Sequence, residues 1–325
     1  MSADVRPNFL TNKDLDRRVL FAKQRLQVAN FEETPMSRVV AILMCLLVSF
    51  PAASQEAPVP FASFDRASEA ILSDPHDLAI GPDGHLYVAD KFGSRIAVLN
   101  AQTLELIDMR AEGRLAGVHD ISFDPEGRAV IAVTGLNAVL VFDRLVGQEP
   151  ELSMALPASR TEGALAHSNG RIYAMAGGTG SVLAYEGEKV VAAAEGYFGA
   201  HDVAEAPDGS IWVADNFNRR LVNLSPELKP IRIINDPKYG FIGPRYLDVD
   251  AFGRLVVADQ DAHRILMIDP NVGDQGSLVG VIGSGSPGLG PNLFDDPEGV
   301  AIHGTSYYFS DSDNNRIVRY SVVIN

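Results

Sequence analysis

Six polar residues stand at corresponding points of a pattern that recurs along this chain: His76, His119, Glu162, His201, Arg245 and Glu298. Neutral imidazole is a ligand for zinc, iron, nickel or copper, and carboxylates can complete such a set. Three protein ligands with a position left open beside them are what metal-assisted catalysis requires. Neither HExxH nor CxxC occurs at these positions, so the chemistry depends on a fold that gathers them. His76, His119 and His201 are the candidate metal ligands, and zinc is the ion they suit best. Asp77, Asp120 and Asp202 each follow one of those histidines. A carboxylate there can orient the imidazole, hold a hard cation such as calcium, or bond the backbone of a neighbouring element.

The element that must position each residue is the unit it opens. From Pro75 to Leu99 the chain reads PHDLAIGPDGHLYVADKFGSRIAVL: an apolar run, a Pro-Asp-Gly turn, a second run ending in Ala-Asp, a loop, and Arg-Ile opening a third. Three short strands joined by tight turns are a β-meander. Counting from His76 as zero, a turn glycine falls at +8, an aspartate at +14 and an arginine at +19. Gly84, Gly127, Gly170, Gly209 and Gly253 repeat the first landmark; Asp90, Asp215 and Asp259 the second; Arg95, Arg220 and Arg264 the third. The last copy is one residue shorter and has Asp311 and Arg316. The copies at 131–142 and 173–185 keep the strands and lose both charged residues. An aspartate at a strand end can accept from the backbone of the loop that follows, and a repeated arginine can tie neighbouring units together. The second strands, such as Ile211-Trp212-Val213-Ala214, are apolar on nearly every residue, which demands cover on both faces.

Periods of 39 to 53 residues fit one four-stranded blade each, so the chain is expected to be an all-β, six-bladed propeller. The zero positions then ring one mouth of the central channel. Its bland reading is a wet mouth whose groups bond water and one another. The last copy has no fourth strand of its own, and the stretch from about Phe61 to Leu72 is expected to supply it and close the ring. His85, His167, His263 and His303 fall off the ring and read as ordinary surface residues.

Residues 36–54, MSRVVAILMCLLVSFPAAS, have the basic start, short apolar run and small residues of a secretory signal peptide. Translation is therefore expected to begin at Met36, with residues 1–35 a start-site artefact or disordered extension, and residues 55–325 the single mature domain. Cys45 is the only cysteine, so the mature chain has no disulfide, which suits a periplasmic or secreted protein. The chain carries 27 basic and 42 acidic residues. Residues 1–54 hold seven and five of these, which leaves the remainder at −17. Such a surface repels phosphate backbones and anionic lipid. A monomer that takes a small molecule or peptide at the channel mouth is expected, with no nucleic-acid partner and no membrane association after signal cleavage.

The pattern resembles the NHL-repeat β-propellers over about residues 61–325, through the Val-Ala-Asp, loop, Arg-Ile series and the Gly-rich lead-in at 283–302. Among enzymes it is similar to the peptidyl-α-hydroxyglycine α-amidating lyases. Pro75-His76-Asp77 carries that likeness, as do Val118-His119-Asp120 and Ala200-His201-Asp202 without the proline. The resemblance implies zinc held by histidines at inner-strand starts, a structural calcium at Asp202 or Asp77, and Arg245 as active-site arginine. Where those lyases place a catalytic tyrosine, this chain has Phe92, Phe217, Asp261 and Asp313. A second likeness, to gluconolactonase-type propellers, implies a lactonase with Glu162 or Glu298 as general base. The reading from another class is a non-catalytic propeller that binds a peptide or sugar.

Overall fold

A computed structural model describes residues 60–147 and 149–324. The extension 1–35, the signal-type segment 36–54 and Cys45 lie outside the described residues. Among the described residues, twenty-four strands form six four-stranded antiparallel sheets. Blade 1 is β2 (Pro75–Ile80), β3 (Leu86–Asp90), β4 (Arg95–Leu99) and β5 (Leu106–Arg110). Blade 2 is β6 (Val118–Phe123), β7 (Ala129–Val133), β8 (Ala138–Arg144) and β9 (Glu151–Pro157). Blade 3 runs from β10 (Thr161–Ala166) through β11 (Ile172–Ala176) and β12 (Ser181–Glu186) to β13 (Lys189–Glu195). Blade 4 has a short inner strand, β14 (Val203–Glu205), then β15 (Ile211–Asp215), β16 (Arg220–Leu224) and β17 (Pro230–Ile234). Blade 5 is β18 (Pro244–Val249), β19 (Leu255–Asp259), β20 (Arg264–Asp269) and β21 (Ser277–Ile282). Blade 6 is β22 (Pro297–His303), β23 (Ser306–Asp311) and β24 (Arg316–Ile324), with β1 (Pro60–Ala67) paired antiparallel on β24 as its outermost strand.

The apolar second strands explain the ring. Successive strand residues point to opposite faces, so Tyr87 and Ala89 pack against blade 2 while Leu86 and Val88 pack against Tyr308 and Ala301 of blade 6. Each of the other joints repeats this arrangement, and the six hydrophobic clusters lie between successive blades, the last joining blade 6 to blade 1. The five +8 glycines sit in the hairpin turns with φ between 77° and 83°, a region that a side chain at that position would disfavour.

The zero positions are aimed by backbone irregularity. In blades 2, 3 and 5 the inner strand skips one register position, leaving His119, Glu162 and Arg245 unpaired in a β-bulge. Blades 1 and 6 bulge at the same place, around His76 and Glu298. A bulge bends the strand and turns its extra side chain. Two residues earlier the chain takes a left-handed corner at Asp74, Gly117, Arg160, Gly199 and Asp296.

Candidate metal centre at the channel mouth

The left-handed corner brings the carbonyl of residue −2 onto the imidazole of residue zero. His119 Nδ1 lies 2.8 Å from Gly117 O, and His201 Nδ1 2.7 Å from Gly199 O. A carbonyl can only accept, so both rings carry the proton on Nδ1 and present a lone pair at Nε2. The Thr134 hydroxyl lies 2.8 Å from His119 Nδ1 and donates to Thr161 O at 2.5 Å, so it too serves as an acceptor for the ring. His76 Nδ1 lies 2.7 Å from Glu298 Oε2, with Asp74 Oδ1 at 3.7 Å. The three histidines are buried. Burial pushes His119 down to about 2 and His76 and His201 well below the usual imidazole range, helped by Lys91 at His76 and by Arg245 at His201. They are neutral imidazoles. Ring centroids are 4.7 Å apart for His76 and His119 and 6.5 Å for His119 and His201.

Glu162 faces two of those lone pairs. Its Oε2 is 3.0 Å from His119 Nε2 and 3.8 Å from His201 Nε2, yet no hydrogen bond reaches it, and His76 Nε2 is likewise buried without one. A lone pair and a carboxylate oxygen at 3.0 Å repel unless a proton or a cation lies between them. Burial raises the Glu162 carboxyl, against the pull of Arg245 and Arg160. This donor set suits a zinc-class ion in chemistry: neutral imidazoles with tethered Nδ1 protons and a carboxylate beside them. Among the described residues, the group of three ligand-type atoms within 4.8 Å of one another is Asp74, His76 and Glu298. Their charge is already met, since Lys91 Nζ lies 2.9 Å from Asp74 and Arg245 Nη1 3.3 Å from Glu298. The nitrogens of His76, His119 and His201 are not drawn into such a group, so one ion on all three requires side-chain adjustment.

Glu298 is buried and pushed up to about 7. Its Oε1 accepts from Gln260 Nε2 at 2.7 Å, and the Gln260 carbonyl accepts from Arg245 at 2.5 Å. Glu298 and Arg245 therefore belong to one network beside His76. Asp77, Asp120 and Asp202 point the other way, into the channel below the ring. Asp120 accepts from Ala164 N of the next blade at 2.7 Å, and Asp202 from Leu247 N of the next at 2.8 Å. Asp248, in blade 5, likewise accepts from Ile302 N of blade 6 at 3.0 Å. Burial and mutual repulsion raise these carboxyls, Asp202 and Asp248 to about 7. They line a cavity of about 270 Å³.

Tyr246 was not legible as a site residue. Placed at +1 in blade 5, it is fully buried, and its hydroxyl donates to His119 O across the channel at 3.3 Å. Its ring lies 6.1 Å from both His76 and His201, so it forms a floor beneath the histidines. The one sequence signal for it is its size, since the other +1 residues are aspartates or glycines: Asp77, Asp120, Gly163, Asp202 and Gly299.

The repeated Asp and Arg are structural, but their partners differ from expectation. Each aspartate accepts from the backbone of the lead-in that precedes its blade's inner strand, rather than from the backbone of the loop that follows: Ser73 N donates to Asp90, Phe198 N to Asp215, Ile242 N to Asp259 and Asp295 N to Asp311, while Asn218 and Asn314 of the following loops reach Asp215 and Asp311 with their side chains. Each arginine pairs with the aspartate of its own blade, at 2.6 to 2.8 Å, because the two face each other across β3–β4 and its equivalents. The arginine reaches the connection between blades through carbonyls such as Gly196 O, and in blade 1 through the Glu112 carboxylate, 3.3 Å from Arg95 Nη1. His167 is another correction: it is buried rather than a surface residue, with Nε2 3.1 Å from Gly209 O of the next blade.

Above the floor a cleft of about 440 Å³ opens between blades 2 and 5. His119, His201, Glu162 and Arg245 line its base, with Thr134 and Gly177 from the two blades that lack the Asp-Arg pair. A side-chain carbon at Gly177 would press on Arg160 O at 2.9 Å and Glu162 Cγ at 3.1 Å.

The family model for the NHL repeat matches residues 72–99, which cover β2, β3 and β4 of blade 1. A comparison with curated protein sequences gives no match. Among solved structures the chain is similar to virginiamycin B lyase from Staphylococcus aureus, at 12% identity and a TM-score of 0.57, over 81% of this chain and 99% of that one. It is similar also to the PQQ-bound aldose sugar dehydrogenase from Streptomyces coelicolor, at 15% identity and a TM-score of 0.58, over 82% of this chain and 100% of that one. A Bacteroides thetaiotaomicron protein of unknown function gives a TM-score of 0.64 at 12% identity, over 81% and 76%. At such identities the likeness is one of fold, and this chain is a six-bladed β-propeller with a match to the NHL-repeat model in its first blade.

Proposed function

We propose that the mouth is a divalent-metal centre of the zinc class, held by His76, His119 and His201, in an exported lyase or hydrolase acting on a small substrate. The observation that carries this is the pair of lone pairs at His119 and His201 Nε2 facing an unpartnered buried Glu162 Oε2. A bound ion of this class supplies Lewis-acid polarisation of a substrate oxygen. The chain's own groups do the rest. Glu162, its carboxyl raised by burial, takes a proton from the substrate and returns it at Oε2. Gly117 O and Gly199 O hold the imidazoles in the ligating tautomer. Arg245 neutralises Glu298 and presents its guanidinium to the cleft. Tyr246 closes the floor, so reactants enter and leave by the mouth. In this reading Asp77, Asp120 and Asp202 serve the joints between blades rather than calcium, since two of the three bind the next blade's backbone.

The test is a screen of peptidyl-α-hydroxyglycines and of γ- and δ-lactones with zinc-loaded protein, its Glu162→Gln variant and chelator-treated protein. Turnover that falls at least about 100-fold in the variant and is lost on chelation supports the reading. Turnover indifferent to chelator and to the variant overturns it.

A further inference from the structure

One wall of the cleft has features that the metal and its acid-base partner do not use. Phe198 and Phe217 stand side by side there, ring centroids 5.1 Å apart, and remain 64% and 58% exposed. They are not loose: Phe198 N donates to the buried Asp215 at 2.9 Å, and Phe217 N donates to Phe198 O at 3.1 Å. The Phe217 ring lies over Gly199, where any side chain would collide with it at 2.3 Å. Phe198 is also the only aromatic among the six residues that stand three before a zero position; the others are Ser73, Ala116, Ser159, Ile242 and Asp295. A rigid exposed aromatic pair in a concave site is what receives an apolar group.

Arg160 lines the same cleft. It occupies a left-handed corner at φ 45°, which an L side chain adopts only at a cost in strain. The equivalent corners are glycines, or aspartates tied to Lys91 and Gln260. Arg160 is exposed, and among the described residues its guanidinium has no hydrogen-bond or ion-pair partner. Its main chain, by contrast, is fixed from both sides, by Asn137 Oδ1 and by Gly177 N. A fixed corner that holds a guanidinium with no ion-pair partner, its charge felt by Glu162, in a chain whose net charge is −15, selects an anionic group.

We infer that the substrate is a carboxylate bearing an aromatic or bulky aliphatic group, the carboxylate taken by Arg160 and the apolar group by Phe198 and Phe217. The inference rests on the cleft being the reaction site. It is tested with 3-phenylpropionate, its amide and propionate as probes, with binding followed by ligand-observed NMR. Wild-type protein should bind 3-phenylpropionate at least about 10-fold tighter than either the amide or propionate. Arg160→Gln should remove the preference for acid over amide, and Phe198→Ala/Phe217→Ala the preference for the phenyl group. Both variants should keep the wild-type metal content. Equal binding of acid and amide by the wild type, or an unchanged Arg160→Gln, overturns the inference. The wild-type comparison of acid and amide decides the matter even if a variant fails to fold. The pattern found in a protein that takes up no metal would leave this subsite standing and overturn the metal reading alone.

Discussion

In blades 1, 4, 5 and 6 the second strand ends in a fully buried aspartate that grips the lead-in and is itself gripped by an arginine. In blades 2 and 3 the same place holds Val133 and Ala176, and the lead-ins are held by backbone bonds, Thr134 N to Gly117 O and Gly177 N to Arg160 O, with the Asn137 side chain accepting from Arg160 N. The cleft takes Thr134 and Gly177 from these two blades, and the larger part of its lining from latched blades 4 and 5, including Phe198, Phe217 and Arg245. Losing the latch frees the loop for other work. At Thr134 that work is bracing an imidazole, and at Gly177 it is leaving room for Glu162.

The largest effect is expected in latched blade 6, whose outer strand β1 precedes blade 1 in the chain. Deleting β1 removes the outer strand of blade 6 and the Phe64 ring from its contact with Tyr320, and should lower the melting temperature by more than about 10 °C or prevent folding; an unchanged melting temperature would show that β1 contributes nothing. Asp215→Ala should cost about 2 to 4 kcal/mol in urea unfolding, because it leaves Phe198 N without its acceptor and removes the ion pair of Arg220, which keeps only Gly196 O. A loss below about 1 kcal/mol would put latched and unlatched blades on a par.

A smaller effect concerns the channel. Asp248 has its carboxyl pushed up to about 7 by burial, against an unfolded value of about 3.9. Its contribution is therefore fully present below about pH 4 and lost as pH rises through about 7, where the folded state must release a proton that the unfolded chain has already lost. Asp248→Asn should flatten the fall of unfolding free energy between pH 5 and 7 by up to about 1 kcal/mol per pH unit. A slope identical to wild type would place the titration elsewhere. Smallest in stability, Thr134→Val should change unfolding by less than about 1 kcal/mol yet weaken zinc binding about 10-fold through His119. Unchanged zinc affinity would mean that the brace is idle.

Most of the fold could be read from recurrence: turn glycines, strand-ending aspartates and doubly apolar second strands fix six blades, because each requirement is local. The ring of zero positions followed from the same register. Two things could not be read. The bulges at His119, Glu162 and Arg245, and the corners before them, are set by how each lead-in is pinned to the second strand, so the tautomers of His119 and His201 emerged only in three dimensions. Tyr246, Phe198 and Arg160 each depart from the repeat at a single position, and a departure has no visible meaning until its neighbours from other blades are known. The aspartates after the histidines were legible as candidates, yet the choice between cation and backbone depended on the distance to the next blade.

The most direct test is elemental analysis of untagged protein purified without chelator, beside a His76→Ala/His119→Ala/His201→Ala variant, each measured again after incubation with zinc. The account predicts about one equivalent of a transition metal in the wild type and none in the variant. No metal in the wild type after incubation, or equal metal in both, would contradict it.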